Sequence, residues 1–408
     1  MAKGRGGFIG QDGLNAPDSP TGVSGTPDDQ SVSVAFTAPT DVGGSAITGY
    51  RAQSNTGVGA SGSSSPITVS GLSNGTAYTF NVWAINAFGY SAPSDASGSV
   101  TPALPERAFF PGGANTSGSL TQIDVLTITS TGNSTDFGDL SEAQKSNGCA
   151  SSVTRGLVLG GDRNLGSLGV GKRCLYFTLS SGGTAATFGN LIQNSFSSPA
   201  GCGNSTRAIK GGGVGNVGGN TPPLNNIEYF TIASTGDATD FGDLTLARSQ
   251  TTAASNSTRG IWAGGNDNSG SNSSNVLDYV TIASAGNATD FGDLATNYRR
   301  QSGAASSTRA LWGLGRDAGG VNAGTEYSTI ASTGNAVNFG NLTSAREYAA
   351  SMAGTTRALF AGGYDSSSFS NVVDYHTIAS TGNGTDFGDL TTAKAETQGL
   401  SNAHGGLQ

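Results

Sequence analysis

Two histidines, His376 and His404, are all that this 408-residue chain offers, so a metal centre built from several histidines is out of reach. No nucleophile elbow, phosphate-cradling glycine loop or calcium-loop spacing occurs in it. The repeated aspartates leave one route to catalysis, the paired carboxylates of a glycan-cleaving enzyme. The reading adopted against that alternative is a non-enzymatic protein with no cofactor and no metal. Three cysteines, Cys149, Cys174 and Cys202, cannot complete a disulfide framework. Cys149 and Cys202 hold equivalent places in successive repeats, which allows a bridge between them. Three reduced, buried thiols is the other reading.

Charged residues recur in register with an aromatic pattern. Lys145, Arg248, Arg299, Arg346 and Lys394 follow a Gly-Asp/Asn-Leu element at near-constant offset. They read either as a basic ring at a pore mouth, suited to an anionic ligand, or as ion-pair partners of Asp139, Asp243, Asp293 and Asp389. A second series, Arg155, Arg207, Arg259, Arg309 and Arg357, has Asp240, Asp290 and Asp386 as turn partners, and its repetition points to structure. Polar stretches of unequal length at 162–172, 214–226, 266–275, 316–324 and 364–371 supply the candidate ligand-binding residues Arg163, Asn266, Asp267, Arg316, Asp317, Tyr364 and Asp365. The bland alternative is a set of solvated Gly/Ser loops. Only 12% of residues are charged, and the net charge is -8. That balance disfavours nucleic acid and anionic membrane, both of which need clustered Lys and Arg, and leaves sugars and proteins as partners.

Short strands must position these groups. From Arg107 onward one pattern recurs about every 50 residues, and its phenylalanine falls at Phe137, Phe188, Phe241, Phe291, Phe339 and Phe387. Six copies are therefore present. Each copy divides into four strands: a small-residue strand, an apolar strand ending in Gly-Gly, a strand centred on tyrosine, and a Phe-Gly strand. Val125 takes the tyrosine place in copy one, and Gly313-Leu314-Gly315 breaks the diglycine in copy five. Four strands in about 50 residues is the signature of a propeller blade. Ala253, Ala254, Ala304, Ala305, Ala349 and Ala350 suit the innermost strand, where blades converge. Phe110, Val158, Trp262, Trp312 and Phe360 share one position and read as inter-blade packing, with a ligand-stacking platform as the alternative. Lys210 interrupts that series as a wetter spot. Copy one begins at its second strand, and 394–403 resembles a first strand with no blade to follow, so the C-terminal strand is expected to complete the N-terminal blade and remove the exposed edges.

Residues 17–102 carry a different pattern. Val32, Val34 and Phe36 alternate, Ile47-Thr48-Gly49-Tyr50 opens a further strand, and Leu72 to Tyr78 reads Leu-Ser-Asn-Gly-Thr-Ala-Tyr. This order of motifs resembles a fibronectin type III domain, with Phe36 standing where that family usually has a core tryptophan and Tyr78 as its tyrosine corner. The diglycine, tyrosine and later aromatic of the repeats resemble the kelch repeat, with Phe in place of its tryptophan. The opening Met1-Ala2-Lys3-Gly4-Arg5-Gly6-Gly7, the Thr-Ile-Ala-Ser-Thr-Gly-Asn repeats and the ending Ala403-His404-Gly405-Gly406-Leu407 are similar to virion proteins of marine tailed phages, cyanophages included.

The expectations are then these. The chain is all-β: residues 1–16 are a flexible anchoring arm, 17–102 a fibronectin type III sandwich, and 103–408 a six-bladed kelch-like β-propeller closed by the C-terminal strand. The resemblance implies a phage virion structural protein, a fibre or appendage, assembled in the host cytoplasm and exposed on the particle. It would meet other virion proteins through the arm or the fibronectin domain. The propeller's loop face would act as an adhesin toward host-surface glycan or protein. The alternative is a capsid or tail decoration protein with a purely structural role. No apolar run of signal-peptide or transmembrane length occurs, which fits release by lysis.

Overall fold

The computed structural model describes residues 15–163, 171–215, 221–267 and 273–407. Most of the expected arm therefore lies outside the described residues. The chain is all-β and divides between Pro105 and Glu106 into two compact units, each with its own core.

In the first unit, strict alternation decides the architecture. Ser31–Thr37 buries Val32, Val34 and Phe36 and turns its serines outward. It pairs antiparallel with Thr21–Asp28 on one side and Ile67–Ser70 on the other. A second sheet runs in the order Gly59–Gly62, Gly49–Ser54, Phe80–Asn86, Gly89–Tyr90. Its buried face supplies Tyr50, Ala52, Phe80, Val82 and Ala84, and the two faces form one sandwich core. Tyr78 Oη accepts the Ser73 backbone N–H at 3.0 Å, which ties the loop before it to the next strand.

The second unit contains six sheets of one design, each built on four antiparallel strands. The second to sixth each run in chain order: Gly148–Ser151, Arg155–Leu159, Arg173–Thr178, Ala186–Asn190; Ala200–Gly203, Arg207–Gly211, Asn226–Thr231, Thr239–Asp243; Thr252–Ser255, Arg259–Ala263, Ser274–Thr281, Thr289–Tyr298; Ser302–Ala305, Arg309–Gly313, Gly324–Thr329, Val337–Asn341; and Ala350–Ala353, Arg357–Ala361, Val372–Thr377, Thr385–Asp389. The first sheet has Arg107–Pro111, Gln122–Thr127 and Thr135–Asp139, takes Leu400–Ser401 from the far end of the chain at one edge, and is joined at the other by Gly183–Thr184, which pairs parallel with Thr135–Asp139. There Leu400 pairs with Phe109 and Ser401 with Ala108. The second strands are buried on both faces because each sheet is covered on either side, which is why they read as unbroken apolar runs.

A bulge in every sheet explains the recurring Phe-Gly pair. In the third sheet, Ile227 pairs with Gly242 and the next residue, Glu228, with Asp240, so Phe241 is extra and turns into the core. Gly242 sits at φ 144°, a region closed to side chains, and a Cβ there would strike the Gly286 carbonyl of the next sheet.

Three kinds of contact join each sheet from the second onward to the next, and the sixth meets the first by the same ones. The small-residue strands lie side by side, with Leu400–Ser401 touching both Ala350–Ala353 and Gly148–Ser151. At the outer edge Gly286 N–H donates to the Phe241 carbonyl, Gly334 to Phe291 and Gly382 to Phe339, while Gly132 of the first sheet donates to Phe387 of the sixth at 2.8 Å. Between these, Arg155, Arg207, Arg259 and Arg309 each reach a carbonyl of the following sheet, and Arg357 of the sixth reaches the Ile128 carbonyl of the first at 3.1 Å. Each of the five also lies over its own sheet's tyrosine, at 4.7–5.3 Å from the ring centre. The partners of this series are thus tyrosine rings and carbonyls, and not the turn aspartates Asp240, Asp290 and Asp386.

Candidate ligand-binding face

The loops that follow the second strands are seated on the inter-sheet connections. Isolated β-bridges join Lys145 to Asp162, Ser249 to Asn266, Arg299 to Arg316 and Glu347 to Tyr364, and Ala114 to Ala395 at the first sheet. One face of the unit therefore carries both the variable stretches and the connections. Parts of three of those stretches, 164–170, 216–220 and 268–272, lie outside the described residues.

The seven candidate residues do not form one site. Arg163 is a buried framework group: its Nε meets Glu142 Oε2 at 3.3 Å and Gln144 Oε1 at 3.2 Å, and burial pulls its guanidinium pKa down against the opposing pull of Glu142. Its guanidinium also donates to the Arg173 carbonyl, so it braces the second sheet. Arg316 is gripped by Glu347 at 2.8 Å. Asp317 accepts from Gly319 N–H at 2.7 Å and from Asn322 Nδ2 at 2.9 Å, closing a tight hairpin. Tyr364 packs edge-on against Phe369 with ring centres 5.4 Å apart. Asp365 binds the hydroxyl of Ser367 and the N–H groups of Ser368 and Ser367, which hold its carboxyl well below the usual range. Asn266 and Asp267 are half-buried at the edge of the stretch 268–272.

The expected basic ring at the mouth dissolves. Arg248, Arg346 and Lys394 are wholly buried and pair with Asp278 at 2.6 Å, Asp374 at 2.7 Å and Asp124 at 2.8 Å. Their partners are not Asp139, Asp243, Asp293 or Asp389 but the acid directly before each tyrosine place in the next sheet. A threonine hydroxyl, of Thr245, Thr343 or Thr391, donates to the same carboxylate. These three cations stand seven residues after the bulge phenylalanine, whereas Lys145 and Arg299 stand eight after it and belong to the bridged connections. One residue of offset turns a side chain to the other side of an extended backbone. Lys145 instead meets Glu396 at 3.3 Å.

What surrounds the mouth is a ring that the sequence pattern did not single out. Ser146, Ser198, Gln250, Arg300, Tyr348 and Glu396, one per connection, all adopt left-handed backbone with φ between 50° and 61°. Backbone N–H groups run round it: Ser146 to Glu396 O, Glu396 to Tyr348 O, Tyr348 to Arg300 O, Arg300 to Gln250 O and Ser198 to Ser146 O, at 2.6–3.0 Å. Side chains interlock above them. Arg300 lies over the Tyr348 ring at 4.7 Å, reaches Glu347 at 3.2 Å and Gln250 Oε1 at 3.3 Å, and Ser146 Oγ donates to Glu396 at 2.8 Å. These six residues share no chemical type, so only backbone conformation marks them. The mouth is an open recess lined by all six of these residues together with Asn147, Thr251 and Gln301. Gln398 lines both it and a deeper chamber, where its Oε1 accepts the N–H groups of Cys149 and Gly201 at 2.9 and 3.0 Å. His404 lines the chamber, its Nε2 3.2 Å from the Ser151 carbonyl.

This face offers donors, acceptors and an aromatic edge. His376 sits apart, buried between Phe339 and Phe360 with Nε2 on Thr325 Oγ1 at 3.1 Å. Among the described residues no three of His, Cys, Asp or Glu gather as a metal site. All three cysteines are free and buried.

Residues 18–99 match the family model of the fibronectin type III domain, and the sandwich is such a domain. No curated protein matches the chain.

Proposed function

We propose that residues 106–408 are a six-bladed, kelch-like β-propeller closed by the C-terminal strand, and that the protein is a phage virion component whose loop face attaches to a host-surface glycan or protein. The fold reading is supported by the three inter-sheet contacts that recur between the sixth and first sheets. The binding reading rests on one observation: the bridges that seat loops of unequal sequence on equivalent connections around an axial mouth. A uniform scaffold with variable loops on one face changes its recognition without disturbing its core. Binding, and not turnover, is the chemistry proposed, since the mouth's Arg300, Glu347 and Glu396 are engaged with one another or with neighbours. Labelled full-length protein is expected to decorate susceptible host cells. The substitutions Tyr364→Ala and Arg300→Ala should cut that binding at least about tenfold with little change in melting temperature. Failure of the intact protein to bind any susceptible host rejects the adhesin.

One observation favours a second reading, a decoration protein. Arg163, Arg316, Asp317 and Asp365 use their polar groups on their own framework. Microscopy of the particle separates the two: a copy at every capsid lattice site supports decoration, and a copy at a fibre tip supports adhesion.

A further inference from the structure

The third sheet departs from the other five at one buried spot. Where they carry Phe110, Val158, Trp262, Trp312 and Phe360, it carries Lys210. Expected to be a wetter place, the position is fully buried. Lys210 pairs across the sheet with Glu228, and Asn226 lies two residues before Glu228 on the same face of that strand. Asn226 and Glu228 are buried as well. Lys210 Nζ donates to Asn226 Oδ1 at 3.2 Å, and Asn226 Nδ2 donates to Glu228 Oε1. The Glu228 carboxyl is held in place by the backbone N–H groups of Ile192 at 2.7 Å and Gln193 at 3.1 Å. Burial pushes the Lys210 ammonium down to about 8, so about a tenth of the amine is neutral at pH 7. An amine nucleophile, an amide electrophile and a carboxyl on the leaving nitrogen thus stand together in a dry site.

We propose that Lys210 and Asn226 join in a spontaneous isopeptide bond, with Glu228 as the proton carrier. The Nζ lone pair attacks Asn226 Cγ and forms the new C–N bond. Glu228 takes a proton from Nζ and delivers it to Nδ2. The Cγ–Nδ2 bond breaks with its electron pair on nitrogen, and ammonia leaves. A primary amine and a primary amide become a secondary amide and ammonia, with no oxidant, metal or cofactor. The bond covalently joins Arg207–Gly211 to Asn226–Thr231, adjacent strands of one sheet. Excluding water also protects the amide from the competing hydrolysis to aspartate.

A plain counter-ion role is the competing account, because Ser195 stands where the other sheets place Arg248, Arg346 or Lys394. Trypsin digestion of the folded, full-length protein followed by mass spectrometry distinguishes them. The bond predicts no cleavage after Lys210, a peptide 208–248 lighter by one ammonia, and fragment ions that place the link between Lys210 and Asn226. Succinimide formation elsewhere loses the same mass but leaves Lys210 cleavable, and counts against the proposal. Glu228→Gln should restore the full mass and cleavage after Lys210, and Lys210→Arg should retain the ammonia. Wild-type protein with unmodified Asn226 and a cleavable Lys210 overturns the bond. A linked Glu228→Gln protein overturns the role of the carboxyl.

Discussion

Leu314 and Gly315 show how finely the backbone sorts residues in this protein. In the other sheets the corresponding pair is Gly-Gly, with φ of 55–67° at the first and 99–110° at the second. The first conformation is one that side chains tolerate, and Leu314 occupies it at 58°, whereas Gly315 keeps the second at 103°. The break in the diglycine thus falls at the only place that can take it. Gly242, at φ 144° against the next sheet, has no such latitude. Gly242→Ala is expected to cost at least about 1–3 kcal/mol and lower the melting temperature in calorimetry. The three thiols give a second residue-level expectation. Burial raises all of them, Cys174 to about 12, so none reacts as a thiolate near neutrality. A thiol reagent should modify none of the three in native protein and all three in denaturant, and a Cys149–Cys202 bridge would leave only one to react.

At the scale of elements, the buried ion pairs staple neighbouring sheets. The acid of the third strand and the cation of the preceding connection occur together at Asp278 and Arg248, Asp374 and Arg346, and Asp124 and Lys394. In the second sheet both are absent: Leu175 replaces the acid and Gln144 the cation. Removing one partner strands a buried charge, so Arg248→Gln should destabilise by about 3–5 kcal/mol. Arg248→Gln with Asp278→Leu, which copies the second sheet, should recover most of that loss in chemical denaturation. The repeats themselves were legible because the bulge demands Phe-Gly and the close sheet contacts demand glycine wherever they recur. The fibronectin domain was legible through alternation and its tyrosine corner. The fate of the cations was not, since an offset of seven or eight residues decides between a buried staple and a connection, and both positions accept Lys or Arg. The mouth was invisible for another reason. Ser, Gln, Arg, Tyr and Glu adopt its left-handed turn alike, so no residue type reports it.

For the whole molecule, acid is the expected weak point. Burial lowers His376 and His404 from the ordinary value of 6.5 to about 4. The unfolded chain therefore binds more protons than the folded one in that interval, and stability is fully present above about 6.5 and lost as pH falls toward about 4. Each histidine contributes on the order of 3 kcal/mol to this dependence. Melting temperature should fall between those pH values, and His376→Phe, which suits the neighbouring Phe339 and Phe360, should flatten part of the slope.

The pairing of Leu400 with Phe109 reaches beyond equilibrium. These partners are 291 positions apart, so on a ribosome adding about 5–20 residues per second the first-made strand waits some 15–60 s for its neighbour. Through that interval Arg107–Pro111 presents an unfilled edge, and other growing chains on the same message offer the same missing strand. Translation speed and crowding thus set a contest between pairing within one chain and exchange among sibling chains. Only a copy made as far as Leu400 and Ser401 can fill that edge with its own strand.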